Sequence, residues 1–179
     1  EFTIEDGNLH ILDGIRAPRR ASAALRIAVS LAKSGVISKQ EALLRIEPRS
    51  LGELLHRQVH PDANRDVLAQ AVAASPGAAT GQIVFSAEAA QASAACSEAC
   101  VLVRRETSPE DIRGMHAASA VLTERGGMTS HAAVIGRGLG LPCVVGASSI
   151  RFQIRKKQLV TPDGRIFREG DILTIDGSN

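Results

Sequence analysis

An alternation of texture between Gly81 and Gly146 constrains this chain's fold more than any other feature. Four short apolar runs, GQIVFSA, CVLVRRE, AVLTE and PCVVG, read as strands. Between them lie AEAAQASAACSEA, SPEDIRGMHAA and TSHAAVIGRGLG, which read as helices. In the second of these, Ser108 is placed as N-cap and Pro109 at the first helical position, with acids in the first turn. The tail QLVTPDGRIFREGDILTIDG is β, with a turn at Pro162-Asp163-Gly164. A sheet face and a helix stripe must each be covered by another layer. Strands alternating with helices and then closing hairpins therefore predict an α/β fold, a layered β/β/α sandwich over 76–179. The four Phe, with no Tyr or Trp, leave its core to Ala, Val, Ile and Leu.

The residues before it have a different organisation. FTIEDGNLHILDG alternates apolar and polar and turns at Asp6-Gly7-Asn8, a hairpin within 1–16. A lone hairpin is marginal in water, and the chain starts Glu-Phe, so the expectation is a remnant of a larger sheet in a longer polypeptide. Residues 17–60 read as a small helical subdomain. ASAALRIAVSLAKSG is a helix stopped by Gly35, Ser38 with Glu41 forms a capping box, and PRSLGELLHRQVH makes a third helix ended by Pro61. Residues 61–75, rich in Ala and Asp, read as a linker, with or without a short helical piece.

Charge and composition exclude some partners. A net charge of +2 predicts neither nucleic acid nor a membrane surface, no apolar run reaches spanning length, and no secretory signal opens the chain. Cys96, Cys100 and Cys143 are an odd number without a framework, which points to reduced thiols and a cytoplasmic setting. His56 and His60 stand four apart, a spacing zinc can use, but no third ligand follows. They read as polar residues near a helix end, and no metal site is expected.

The chemistry concentrates in LTERGGMTSHAAVIGRGLGLPCVVG, residues 122–146. Arg125-Gly126-Gly127 is a turn needing backbone freedom, and Thr129 or Ser130 caps the next helix. His131 then falls in the first helical turn, where the dipole and free N–H groups favour an added anion. An exposed neutral imidazole there is a competent nucleophile, and Gly126, Gly127, Ala132 and Ala133 leave room for a phosphate. The plain alternative is a capping or surface histidine. A hydrolase triad is disfavoured, because adjacent Ser130 and His131 point different ways.

The stretch GGMTSHAAVIGRGLGLPCVVG resembles the phosphohistidine signature of the phosphoenolpyruvate-utilising enzymes. LRIAVSLAKSGVISKQEALLRIEPRSLGELLH, ASPGAATGQIVF and VLVRRETSPEDIRGMHAA resemble the dikinase branch of that family. Met128 fits too, since other branches usually carry Arg there. The resemblance implies a swivelling domain whose His131 is the catalytic phosphoryl carrier. It is charged from ATP at an ATP-grasp domain and discharged to pyruvate at a (β/α)8 barrel of the same polypeptide. The overall reaction would be ATP, phosphate and pyruvate to AMP, pyrophosphate and phosphoenolpyruvate, with magnesium. Mg2+ and ATP or AMP would belong to the full-length parent, and none is expected to bind this segment tightly. By the same likeness the hairpin ends the nucleotide-binding domain and 17–60 is a connector.

Thr129 matches a threonine that a regulatory kinase and phosphatase modify in some relatives. Gly126, Gly127 and Ser130 would supply the turn and cap. Asp13 and Ile15 stand where the family has nucleotide-contacting Gln and Arg, so no nucleotide-binding residue carries over. A cytoplasmic location is implied, or a plastid one for a plant source. Other readings are a binding or regulatory module that kept the fold, the carrier domain of a phosphoenolpyruvate synthase, and a stand-alone carrier.

Overall fold

The structure, a computed structural model, describes residues 1–14, 19, 21–48, 51–60 and 62–178. Ile15 and Pro61, invoked above, lie outside the described residues. The chain divides into two compact units, Glu1–Leu54 and Leu55–Asn179.

In the first unit, strands β1 (Phe2–Glu5) and β2 (Asn8–Ile11) pair antiparallel with Glu5 opposite Asn8. The turn between them is Asp6-Gly7, and both residues have positive φ, as a two-residue hairpin turn requires. Helix α1 (Ala21–Lys33) follows, then α2 (Lys39–Leu44). The Ser38 hydroxyl accepts from Glu41 N–H while the Glu41 carboxylate accepts from Ser38 N–H, so the capping box forms as read. The third helix, α3 (Leu51–Leu54), has only four residues. The stretch after it leaves the helical path: the Arg57 carbonyl accepts from Ala78 N–H at 2.7 Å. His56 and His60 are therefore not on one helix face. His60 Nδ1 instead accepts from Asp62 N–H at 3.2 Å.

The second unit is the layered α/β sandwich. Its strands and helices are β3 (Val72–Ser75), β4 (Ala78–Val84), α4 (Ala87–Ala95), β5 (Cys100–Arg104), α5 (Ile112–Ala117), β6 (Ala120–Thr123), α6 (His131–Leu139) and β7 (Cys143–Val145), then β8 (Arg151–Gln153), β9 (Gln158–Val160), β10 (Ile166–Arg168) and β11 (Ile172–Asp176). The main sheet has the order β11-β4-β5-β6-β7-β3. Its four central strands run parallel, and β11 and β3 close the edges antiparallel. The small sheet has the order β10-β9-β8, and β9 and β10 meet at the turn read at Pro162-Asp163-Gly164.

Strand residues alternate between two cores, as the period of two requires. Cys100, Leu102, Val121 and Cys143 pack against Ala90, Met115, Ala132 and Ala133 of α4, α5 and α6. Val101, Val103, Ala120 and Leu122 pack against Phe152 and Leu159 of the small sheet, with Phe167 partly buried beside them. Sheet, helices and second sheet are thus the three expected layers. One expectation changes: Val72–Ser75, read as the end of a linker, is an edge strand paired with β7, and residues 61–75 lie inside the second unit. Its Ala-rich sequence carries no strand signal, and the edge of β7 imposes the extended form.

The cysteines differ in environment. Cys96 is exposed, while Cys100 and Cys143 are buried. Burial pushes the Cys100 thiol up, and pushes that of Cys143 up to about 12. Both therefore stay protonated thiols at neutral pH. Iodoacetamide on the native protein at mildly alkaline pH is expected to modify Cys96 and leave the other two until the protein unfolds. Peptide mass mapping before and after denaturant checks this, and native labelling of Cys143 would contradict it.

Candidate functional site

The site lies beyond the carboxyl ends of the adjacent parallel strands β5 and β6, where an open parallel sheet presents its connecting loops. The β6–α6 turn is stitched down at its start. Arg125 N–H donates to the Arg105 carbonyl at 2.9 Å, the Thr123 hydroxyl donates to the Arg125 carbonyl at 2.7 Å, and Ala147 N–H donates to the Thr123 carbonyl at 2.9 Å. Gly126 has φ +117°, and a Cβ there would stand 2.9 Å from Cβ and Oγ of Ser130. Gly146, after β7, has φ +72°, and its Cβ would stand 2.7 Å from the Gly126 carbonyl oxygen. Both positions therefore need glycine for conformation and for space. Gly127 faces open space.

Ser130 is the N-cap: its φ and ψ are extended, and its hydroxyl accepts from Ala133 N–H at 3.4 Å. Thr129, the other capping candidate, is exposed. His131 is the first residue of α6. The N–H groups of His131 and Ala132 find no acceptor among the described residues, so this end can receive an anion. Gly140 ends the helix in the left-handed conformation.

His131 is half-buried rather than fully exposed. The reason is a partner that the sequence reading missed: His131 Nδ1 lies 3.2 Å from Oγ1 of Thr107, which is 6% exposed. Nε2 has no hydrogen-bond partner among the described residues. Thr107 follows β5 and His131 follows β6, so strand adjacency joins residues 24 apart in sequence. The only signal for Thr107 was its place before the Ser108-Pro109 helix start. Arg137 was also missed. From the last turn of α6 its Nη2 donates to the Met128 carbonyl at 2.7 Å and its Nη1 to Ala74 at 3.4 Å, tying the turn to the β3 edge.

No group of three or more His, Cys, Asp or Glu that could hold a metal occurs among the described residues. The Asp13 carboxylate accepts from Gly14 N–H at 2.7 Å in the other unit. No helix among the described residues is long and apolar enough to cross a membrane.

Residues 96–179 match the family model of the PEP-utilising enzyme, mobile domain. Along all 179 residues the chain is 53% identical to pyruvate, phosphate dikinase of Rhizobium meliloti (strain 1021). It is 48% identical to that of Clostridium symbiosum and 46% identical to pyruvate, phosphate dikinase 2 of Zea mays, over 99% of its length in each case. It spans about a fifth of the length of these curated relatives, covering 20% of each.

Proposed function

We propose that this chain is the phosphoryl-carrier segment of a longer pyruvate, phosphate dikinase, and that His131 is the carrier. The observation that carries the reading is the ring itself. Its Nδ1 is engaged by Thr107, its Nε2 has no partner among the described residues, and it opens a helix whose first N–H groups find no acceptor among them. In the forward step the Nε2 lone pair attacks phosphorus. With ATP as donor the attack falls on the β-phosphorus: the N–P bond forms as the bond to the AMP oxygen breaks and that electron pair leaves on AMP, and phosphate then takes the terminal phosphoryl group as pyrophosphate, leaving one phosphoryl group on Nε2. Nδ1 keeps its proton, and its N–H donates a hydrogen bond to Thr107 Oγ1. In discharge a base of the pyruvate site takes a methyl proton, the resulting enolate oxygen takes the phosphoryl group, and the N–P pair returns to Nε2. Helix-end N–H groups offset the negative charge of the phosphorylated ring.

In this reading the segment swings between an ATP-grasp domain and a barrel elsewhere in the polypeptide, which supply nucleotide, magnesium and pyruvate sites. The domain assignment goes with it: 1–16 as the end of the nucleotide-binding domain, 17–60 as connector, and the sandwich as the moving part in a cytoplasmic or plastid enzyme. Incubating the full-length polypeptide with labelled phosphoenolpyruvate should give an acid-labile, base-stable label on the His131 peptide. A label on another residue, or none, overturns the carrier assignment.

Thr129 is exposed, two residues before the carrier, and is proposed as a regulatory phosphorylation site. A dianion there repels the incoming phosphoryl group and occupies its space. Thr129→Glu in the full-length polypeptide is expected to slow labelling of His131 by about tenfold or more. Wild-type labelling rates in this variant would remove the electrostatic basis of the switch.

A further inference from the structure

The loop that carries Thr107 is held by a buried carboxylate. Asp111 is 3% exposed. Its Oδ2 accepts from Ser108 N–H at 2.9 Å and from the Ser108 hydroxyl at 3.3 Å. Its Oδ1 lies 3.1 Å from Arg104 Nε. That contact is ionic rather than an aligned hydrogen bond, because Arg104 Nε has no acceptor in hydrogen-bonding geometry. Arg104 Nη1 donates to the Phe85 carbonyl at 3.1 Å, which anchors the guanidinium at the end of β4.

A carboxylate this deep is costly unless its charge and lone pairs are matched, and here each oxygen is engaged. The Ser108 N–H that it grips belongs to the peptide joining Thr107 to Ser108. Holding that peptide plane fixes the backbone immediately after Thr107, the residue whose hydroxyl meets His131 Nδ1.

The hydroxyl can serve His131 in two ways. If it donates to Nδ1, the neutral ring carries its proton on Nε2 and the unengaged nitrogen is no nucleophile. If it accepts, the proton sits on Nδ1 and Nε2 keeps its lone pair. Which one holds depends on how the hydroxyl is presented.

We propose that Asp111, braced by Arg104, is a positioning residue for His131: by gripping the Thr107–Ser108 peptide it presents Thr107 Oγ1 as acceptor of the Nδ1 proton and holds the ring with Nε2 unprotonated. Its consequence for phosphoryl transfer rests on the carrier reading above. The tautomer itself does not. A carboxylate that merely capped the following helix would stabilise that helix and leave the imidazole proton where it was.

The test is the tautomer of His131 in the 15N-histidine-labelled protein, read from long-range 1H–15N spectra at a pH where the ring is neutral. The His131 signals are identified by their loss in His131→Asn. Wild type is expected to show the Nδ1–H form. Asp111→Ala, which frees the peptide, is expected to shift the ring toward Nε2–H. Asp111→Asn, which keeps an acceptor for Ser108 N–H but loses the attraction of Arg104, should shift it less. In the full-length polypeptide the rate of His131 labelling should fall about tenfold or more in Asp111→Ala and recover partly in Asp111→Asn. A dominant Nε2–H form in wild type overturns the proposal, as does a wild-type tautomer in folded Asp111→Ala. If circular dichroism shows Asp111→Ala unfolded, Asp111→Asn decides by the same readout, and an unchanged tautomer there overturns it. If the tautomer responds as stated but wild type takes no label at His131, the carrier reading fails and the positioning role stands.

Discussion

His131→Asn in the full-length polypeptide is expected to lower overall turnover by more than about 10⁴-fold, the scale seen when a covalent nucleophile is removed. Stability should change by less than about 1 kcal/mol. Asn is polar and suits a helix start, and His131 is half-buried, so little apolar contact is lost. The informative part is what disappears together. A carrier takes part in both half-reactions, so exchange between ATP and its products and exchange between pyruvate and phosphoenolpyruvate should both stop. A residue that only assisted one site would leave the other exchange running. Isotope exchange for each half, with a denaturation curve as control, separates these cases. Survival of either exchange in folded His131→Asn would return the chain to the binding-module reading.

Gly146→Ala is expected to destabilise the protein by about 2–4 kcal/mol. Roughly 1–2 kcal/mol comes from placing a Cβ at φ +72°. The rest comes from pressing that Cβ, at 2.7 Å, against the Gly126 carbonyl, a backbone atom that yields only if the turn moves. The displaced turn carries Ser130 and leads into His131, so labelling of His131 should fall as well, under conditions where the variant is still folded. Gly127→Ala is the internal control, since nothing stands within 4 Å of a Cβ there. The midpoint of urea denaturation together with the His131 labelling rate checks the pair. Equal stability of wild type and Gly146→Ala would show that the turn absorbs the added methyl.

Much of the sandwich was legible because its signals are local. The apolar runs at β4 to β7 alternate between two buried faces, and the small residues of α4 and α6 suit helices packed on a sheet. The capping box at Ser38, the left-handed stop at Gly140 and the Asp6-Gly7 turn each need only a few neighbouring residues. His131 at a helix start belongs with them, since Gly126, Gly127 and Ser130 lie within one turn of it.

What was missed depends on distant parts of the chain. Val72–Ser75 is a strand because β7 offers an open edge, not because Ala and Ser favour one. The third helix stops after four residues, and the chain beyond it spends the Arg57 carbonyl on Ala78. Read as a helix, that stretch put His56 and His60 on one face, where they are not.

The sequence by itself determined the alternation of strands and helices from β4 to β7, the β character of the tail from Gln158, the turn that needs Gly126, and the place of His131 at the positive end of α6, though neither β3 nor β8. These follow from propensity, capping and period, which act over a few residues. Only the tertiary structure decided which side of the imidazole is occupied. Thr107 reaches Nδ1 because β5 and β6 are parallel neighbours, Gly146 fits under the Gly126 carbonyl because β7 lies beside β6, and Asp111 is buried beside Arg104 at the end of the same sheet. Such contacts are set by how the strands are ordered in space, and no local pattern encodes them.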